Sequence, residues 1–118
     1  MSHTINWIEI RSSNNAASEK FFSTVFGWKF QEMMPGYTTF DTGTGMSGVA
    51  GGFGEGENGP SQPQLVYISC EDVDKALADV TANGGQTVMP KMALPNNYGS
   101  IGHFSDPSGV TWGLWSKS

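Results

Sequence analysis

Cysteine, histidine and positive charge are all scarce in this 118-residue chain, and each shortage removes a class of function. The single cysteine, Cys70, excludes an internal disulfide, and one thiol with two scattered histidines, His3 and His103, cannot build a Cys-rich zinc site. Six Lys and Arg stand against 11 Asp and Glu, a formal net charge of −5. A surface that neutralises phosphates has little to be made from, so no nucleic acid is expected as a partner. No apolar run approaches the roughly 18 residues of a bilayer span, so no membrane partner is expected either. The opening Met-Ser-His-Thr-Ile-Asn shows neither the basic nor the apolar region of a signal peptide, and we expect a cytoplasmic protein.

Charged residues as a whole are only 14% of the chain, below the typical quarter or so, whereas 16 Gly and 6 Pro mark a turn-rich protein. Hydrophobic residues make up 37%, with seven Phe and four Trp, enough to fill one compact core. The length fits one domain, or two half-modules sharing a core.

Residues 4–11 alternate with period two, placing Asn6, Ile8 and Ile10 on one face and Ile5, Trp7, Glu9 and Arg11 on the other, as in a strand. Ser13 or Asn14 can cap a helix running to about Phe26, where Phe22 is joined by Ser18, Val25 and Phe26 at helical spacing and Gly27 ends the run. Phe21, Phe22, Phe26, Trp112 and Leu114 are assigned to packing. Strands are expected near 28–34, 37–42 and 47–53. Residues 54–63 carry no apolar side chain and read as a linker. The order then repeats: a strand at 65–70, a helix capped by Asp72 with Val73, Ala76, Leu77 and Val80 on one stripe, a stop at Gly84-Gly85, and strands near 86–92, 100–105 and 110–116.

An offset of 58 takes Gly27 to Gly85, Asn14 to Asp72, Phe22 to Val80 and Trp7 to Leu65. Near the ends of the halves, Ser47-Gly-Val-Ala-Gly-Gly-Phe53 matches Ser108-Gly-Val-Thr-Trp-Gly-Leu114 at an offset of 61, so about three extra loop residues are expected in the second half. The chain therefore reads as two tandem βαβββ modules, 4–53 and 64–116, in one domain over 1–118.

Phe21-Phe-Ser-Thr-Val-Phe-Gly-Trp28, Glu71-Asp-Val-Asp-Lys-Ala76, Gly84-Gly85, Asp106-Pro-Ser-Gly109 and Trp112-Gly-Leu-Trp115, in this order and spacing, resemble the vicinal oxygen chelate superfamily, the glyoxalase, bleomycin-resistance and extradiol-dioxygenase group. The resemblance covers nearly the whole chain. It implies an α+β fold whose curved eight-stranded mixed sheet wraps a cavity. In metal-dependent relatives four ligands enter that cavity from the first and last strands of both modules. The matching positions here are Trp7, Gly52, Leu65 and Gly113, none of which can bind a metal through its side chain. No metal and no cofactor is therefore expected.

By alternation, Trp7, Glu9, Arg11, Leu65, Tyr67, Ser69, Thr111 and Trp115 face the cavity, bordered by Gly52 and Gly113. We take these ten as the ligand-binding set, with Glu9 as a ligand contact or as the ion-pair partner of Arg11. An aromatic lining with a few polar groups suits a small organic molecule, and the two glycines should leave it room beside Trp7. His103 aligns with Ile101 and Ser105 and has no ligand partner in sequence, which favours a structural or surface role over a catalytic one. Cys70 lies on the helix-packed face, where thiols are inert. Gly43-Thr-Gly-Met-Ser-Gly48 matches a dinucleotide fingerprint in letters, but no helix pattern follows it, so a turn and strand are expected.

The leading expectation is a metal-independent small-molecule-binding protein. A family enzyme whose catalytic groups cannot be placed, and a protein-interaction module, are the alternatives. Homodimers are frequent in the resembled family, and a second chain can complete such a cavity; the sequence leaves the oligomeric state open.

Overall fold

The computed structural model describes residues 3–12, 14–43, 50–55 and 64–118. In chain order the elements are β1 (Ile5–Ser12), α1 (Asn15–Phe26), β2 (Lys29–Met34), β3 (Tyr37–Asp41), β4 (Gly51–Glu55), β5 (Gln64–Ser69), α2 (Val73–Ala82), β6 (Gln86–Ala93), a 3-10 turn (Pro95–Asn97), β7 (Ser100–Ser105) and β8 (Thr111–Ser116). The fold is α+β, and the strands of its mixed sheet follow the order β2-β3-β4-β1 in the first half and β5-β8-β7-β6 in the second. Glycine 54 and Glu55 lie in β4 rather than in a linker. The rest of that expected linker, 56–63, and the 44–49 part of the turn and strand expected around it, lie outside the described residues. No helix among the described residues is long and apolar enough to cross a membrane.

The chain divides into two compact units, one of Trp7–Leu65 and one of Val66–Ser118 joined by the segment that ends at Asn6. Thr4 belongs to the latter because its carbonyl accepts the Ser69 N–H at 2.8 Å. Within the first unit β1 runs parallel to β4, and β4-β3-β2 continue antiparallel. Within the second, β5 runs parallel to β8, and β8-β7-β6 continue antiparallel. The expected repeat holds to the register: Glu9 pairs with Gly52 as Tyr67 pairs with Gly113.

The net of about three extra residues holds, and it is the difference of two unequal changes. Thr39 faces Gly52 whereas His103 faces Gly113, an offset of 64. The second half thus has six more residues between its helix-ending glycine and this point, and three fewer from there to the last strand. Most of the insertion sits where the two-residue Pro35-Gly36 turn of the first half becomes the connection 94–99.

Both helices start as their caps dictate. Asn14 accepts the Ala17 N–H at 3.0 Å and Asp72 the Lys75 N–H at 3.2 Å, each satisfying a donor with no partner inside the helix. Gly27 ends α1 at φ 74, a left-handed conformation cheap only for glycine, and Trp28 N–H returns to the Phe22 carbonyl. Helix α2 packs Val73 and Leu77 with Cys70 and Leu114, against half-buried Ile68, Ala76 and Phe104. Gly102 admits that contact, since a β-carbon there would meet Val73 Cγ1 at 2.8 Å.

Helix α1 packs on a different stripe from the one expected. Asn15 is buried and donates to the carbonyls of Phe53 at 3.0 Å and Gly36 at 3.3 Å, while Phe22 stacks on Trp28 with ring centroids 4.9 Å apart. Trp28, delivered by the turn at Gly27, lies against Phe40, so it rather than Phe26 covers the strands. Phe21, Val25 and Phe26 are left 55%, 55% and 61% exposed, which corrects the assignment of Phe21 and Phe26 to packing. Leu114 is in the core as expected, and Trp112 is half-buried.

Candidate functional site

Alternation along β1 puts Trp7, Glu9 and Arg11 on one side, and the structure brings them together. The Arg11 guanidinium bonds the Glu9 carboxylate at 2.9 Å, and Glu9 is only 7% exposed. Trp7 Nε1–H donates to the Tyr37 hydroxyl at 2.6 Å, and that hydroxyl is hydrogen-bonded in turn to Glu9. Burial pushes the Glu9 carboxyl above its ordinary value, against the opposing pull of Arg11 and Tyr37. Burial and the Glu9 charge push the Tyr37 phenol up as well, so it stays protonated and remains a donor. The result is a continuous run of indole N–H, phenol, carboxylate and guanidinium.

Tyr37 belongs to β3 and reaches β1 by lying across the intervening β4. A β-carbon on Gly52 would stand 2.6 Å from its ring, and one on Gly54 3.5 Å away. The second half has the same construction with other residues. The Tyr67 ring crosses Gly113, where a β-carbon would lie 2.5 Å from it, and its hydroxyl meets His103 Nε2 at 3.0 Å. Both partners are buried, at 5% and 7% exposure. The room expected over the two glycines is therefore not left for a ligand; a tyrosine ring fills it in each unit.

The other site residues of the second unit share that face. Ser69 pairs with Trp115, Trp115 with Ile101, and Thr111 with Ser105, all on the side away from α2. Trp115 Nε1–H donates to the Tyr98 carbonyl at 2.7 Å. Leu65, in the first unit, is fully buried and joins no polar cluster described here. At the β7–β8 turn, Asp106 accepts from Ser108 N–H, Ser108 Oγ–H, Val110 N–H and Trp112 Nε1–H, and these donors, Ser108 first, hold its carboxyl down to about 2. Burial raises the Cys70 thiol, which lies in the α2 core as expected of an inert cysteine.

Sequence reasoning missed Tyr37 and the partnership of His103. The signal for Tyr37 was the pair Gly52 and Gly54: two glycines at i, i+2 on a strand leave one face bare, and a neighbouring large side chain covers it. Trp7, Gly52, Leu65 and Gly113 offer no donor, and the described residues contain no group of three His, Cys, Asp or Glu that could hold an ion.

A family model described as Glyoxalase/Bleomycin resistance protein/Dioxygenase superfamily matches residues 4–114. The chain belongs to that superfamily. Among relatives of this superfamily member, "Putative glyoxylase CFP32" of Mycobacterium tuberculosis is 29% identical over 98% of this chain, and "Anthracycline biosynthesis protein DnrV" of Streptomyces peucetius is 28% identical over 94%. The chain spans 46% of the length of each, about half. The methylmalonyl-CoA epimerase of Streptomyces coelicolor has the same fold, with a TM-score of 0.68 at 19% identity, covering 98% of both chains.

Proposed function

We propose that this superfamily member binds a small, flat organic molecule on the strand faces turned away from its helices, without a resident metal ion. The observation that carries this reading is the pair of tyrosine rings lying over Gly52 and Gly113, where a metal-binding relative would place ligand side chains. Trp7 offers a half-buried indole fixed in place by Tyr37, with the Glu9–Arg11 pair supplying an acceptor and a donor nearby. Ser69, Thr111 and Trp115 offer the same kind of surface in the second unit. The relative named for anthracycline biosynthesis supports polycyclic aromatic compounds as the first class to try.

The test is a thermal-shift screen of such compounds followed by calorimetry. Trp7→Ala should weaken a binder about tenfold or more, while Phe22→Ala should lower stability and leave affinity in place. A binder held equally by folded Trp7→Ala and wild type would remove Trp7 from the site.

A second reading, a family enzyme, is favoured by Glu9, since a buried carboxylate with a raised pKa is a candidate general base. Its ion pair with Arg11 would have to open for that role. Turnover of a candidate substrate that survives Glu9→Gln would dismiss it. We further propose that a second copy of the chain covers Phe21, Val25 and Phe26; sedimentation should then show a dimer that Phe26→Ser dissociates.

A further inference from the structure

We infer that the connection 94–99 is a strap held along the N–H edge of the Trp115 indole, and that a flat ligand bearing an acceptor oxygen displaces it on binding. This rests on the small-molecule reading above and adds a residue-level gate to it. The strap is where the two halves depart most from each other. The first half turns from β2 to β3 through Pro35-Gly36, whereas the second takes six residues to do the same. Two of these, Asn96 at φ 57 and Asn97 at φ 60, are consecutive left-handed residues without being glycine, and Gly99 follows at φ 97. L-residues visit that region singly and at a cost, and they remain there when surrounding contacts hold them.

Among the described residues, three hydrogen bonds hold the strap. Leu94 N–H reaches the Gly99 carbonyl at 2.8 Å and Tyr98 N–H the Pro95 carbonyl at 3.1 Å, both within the connection itself. The third, from Trp115 Nε1–H to the Tyr98 carbonyl at 2.7 Å, ties it to β8. Gly99 lets the backbone come close, for a β-carbon there would stand 2.9 Å from Trp115 Nε1 and 3.1 Å from Cε2. Asn96, Asn97 and Tyr98 lie outside, exposed. Trp115 itself stands beside Ser69 and Ile101, one row along from Tyr67, Gly113 and His103, so a molecule on this face meets the indole where the strap meets it.

Lifting the strap frees the indole N–H, which then needs another acceptor, and releases the two asparagines from their left-handed conformation. A carbonyl oxygen on the ligand supplies the acceptor. An apolar ring of the same size does not, and leaves the donor unsatisfied.

The probes are anthraquinone-2-sulfonate and anthracene-2-sulfonate, which differ in the two ring carbonyls, titrated by calorimetry and by the Trp115 indole N–H resonance, assigned by its loss in Trp115→Phe. The quinone should bind about tenfold tighter than the anthracene and should shift the Trp115 signal while leaving the N–H hydrogen-bonded. Replacing residues 94–99 by Pro-Gly should tighten quinone binding several-fold. The paired substitution Asn96→Gly and Asn97→Gly, which relieves the strap in its closed position, should weaken it, and serves if the shortened variant fails to fold. Saturating quinone that leaves the Trp115 signal unmoved overturns the strap while leaving the small-molecule reading intact, as do strap variants that bind like wild type. Failure of both probes to bind wild type and variants overturns both.

Discussion

A β-carbon added at Gly113 would enter the Tyr67 ring, and one at Gly52 the Tyr37 ring, so neither tyrosine could stay where it is. Gly113→Ala and Gly52→Ala should each cost about 1–3 kcal/mol by urea unfolding, the usual range for overpacking. In the Tyr67→Ala background the Gly113→Ala penalty should largely vanish, because the two groups share one volume; additive costs would place the ring elsewhere. Two carboxyls should shape the pH dependence with opposite signs. Asp106, held down to about 2 from 3.8, contributes stability that is present above 3.8 and lost as pH falls towards 2. Glu9, raised above 4.5, contributes stability that is present below 4.5 and lost as pH rises through its folded value. In denaturant midpoints taken across pH, Asp106→Asn should flatten the acid-side loss and Glu9→Gln the loss above 4.5.

The helices differ in how they use their apolar residues. Leu77→Ala in α2 empties a buried site and should cost about 2–5 kcal/mol, whereas Phe21→Ser and Phe26→Ser in α1 should each stay within about 0.5 kcal/mol in the monomer. Thermal unfolding at low protein concentration separates the two. Element type and order were legible in the sequence, because caps at Asn14 and Asp72 and stops at Gly27 and Gly84-Gly85 are local chemistry. Which side of α1 turns inward was not. Its phenylalanines occupy neighbouring positions, and the choice of Phe22 is made by Trp28 and Phe53, which belong to other elements. The site divides the same way. Trp7, Glu9 and Arg11 share a face by simple alternation, but Tyr37 and His103 join their partners through strand register, 30 and 36 positions away along the chain. The strap at 94–99 was hidden because a longer connection in one place and a shorter one in another nearly cancel in the overall offset.

At the scale of the molecule, the donor-poor positions predict that purified protein carries far less than one equivalent of transition metal, and that a chelator leaves its melting temperature unchanged. Stoichiometric metal by elemental analysis, removable only with loss of stability, would contradict the register described here. Each half also pairs its first strand with its last, Ile8 with Gly51 and Tyr67 with Gly113, positions roughly forty residues or more apart, and such long-range parallel pairing is slow to form. During synthesis this sets a timetable. A nascent chain stalled just after Glu55 has emerged holds β1 to β4 together, while one stalled before Gly51 leaves both β1 and β3 without the strand that belongs between them, an open template for pairing with a neighbouring polypeptide until translation resumes.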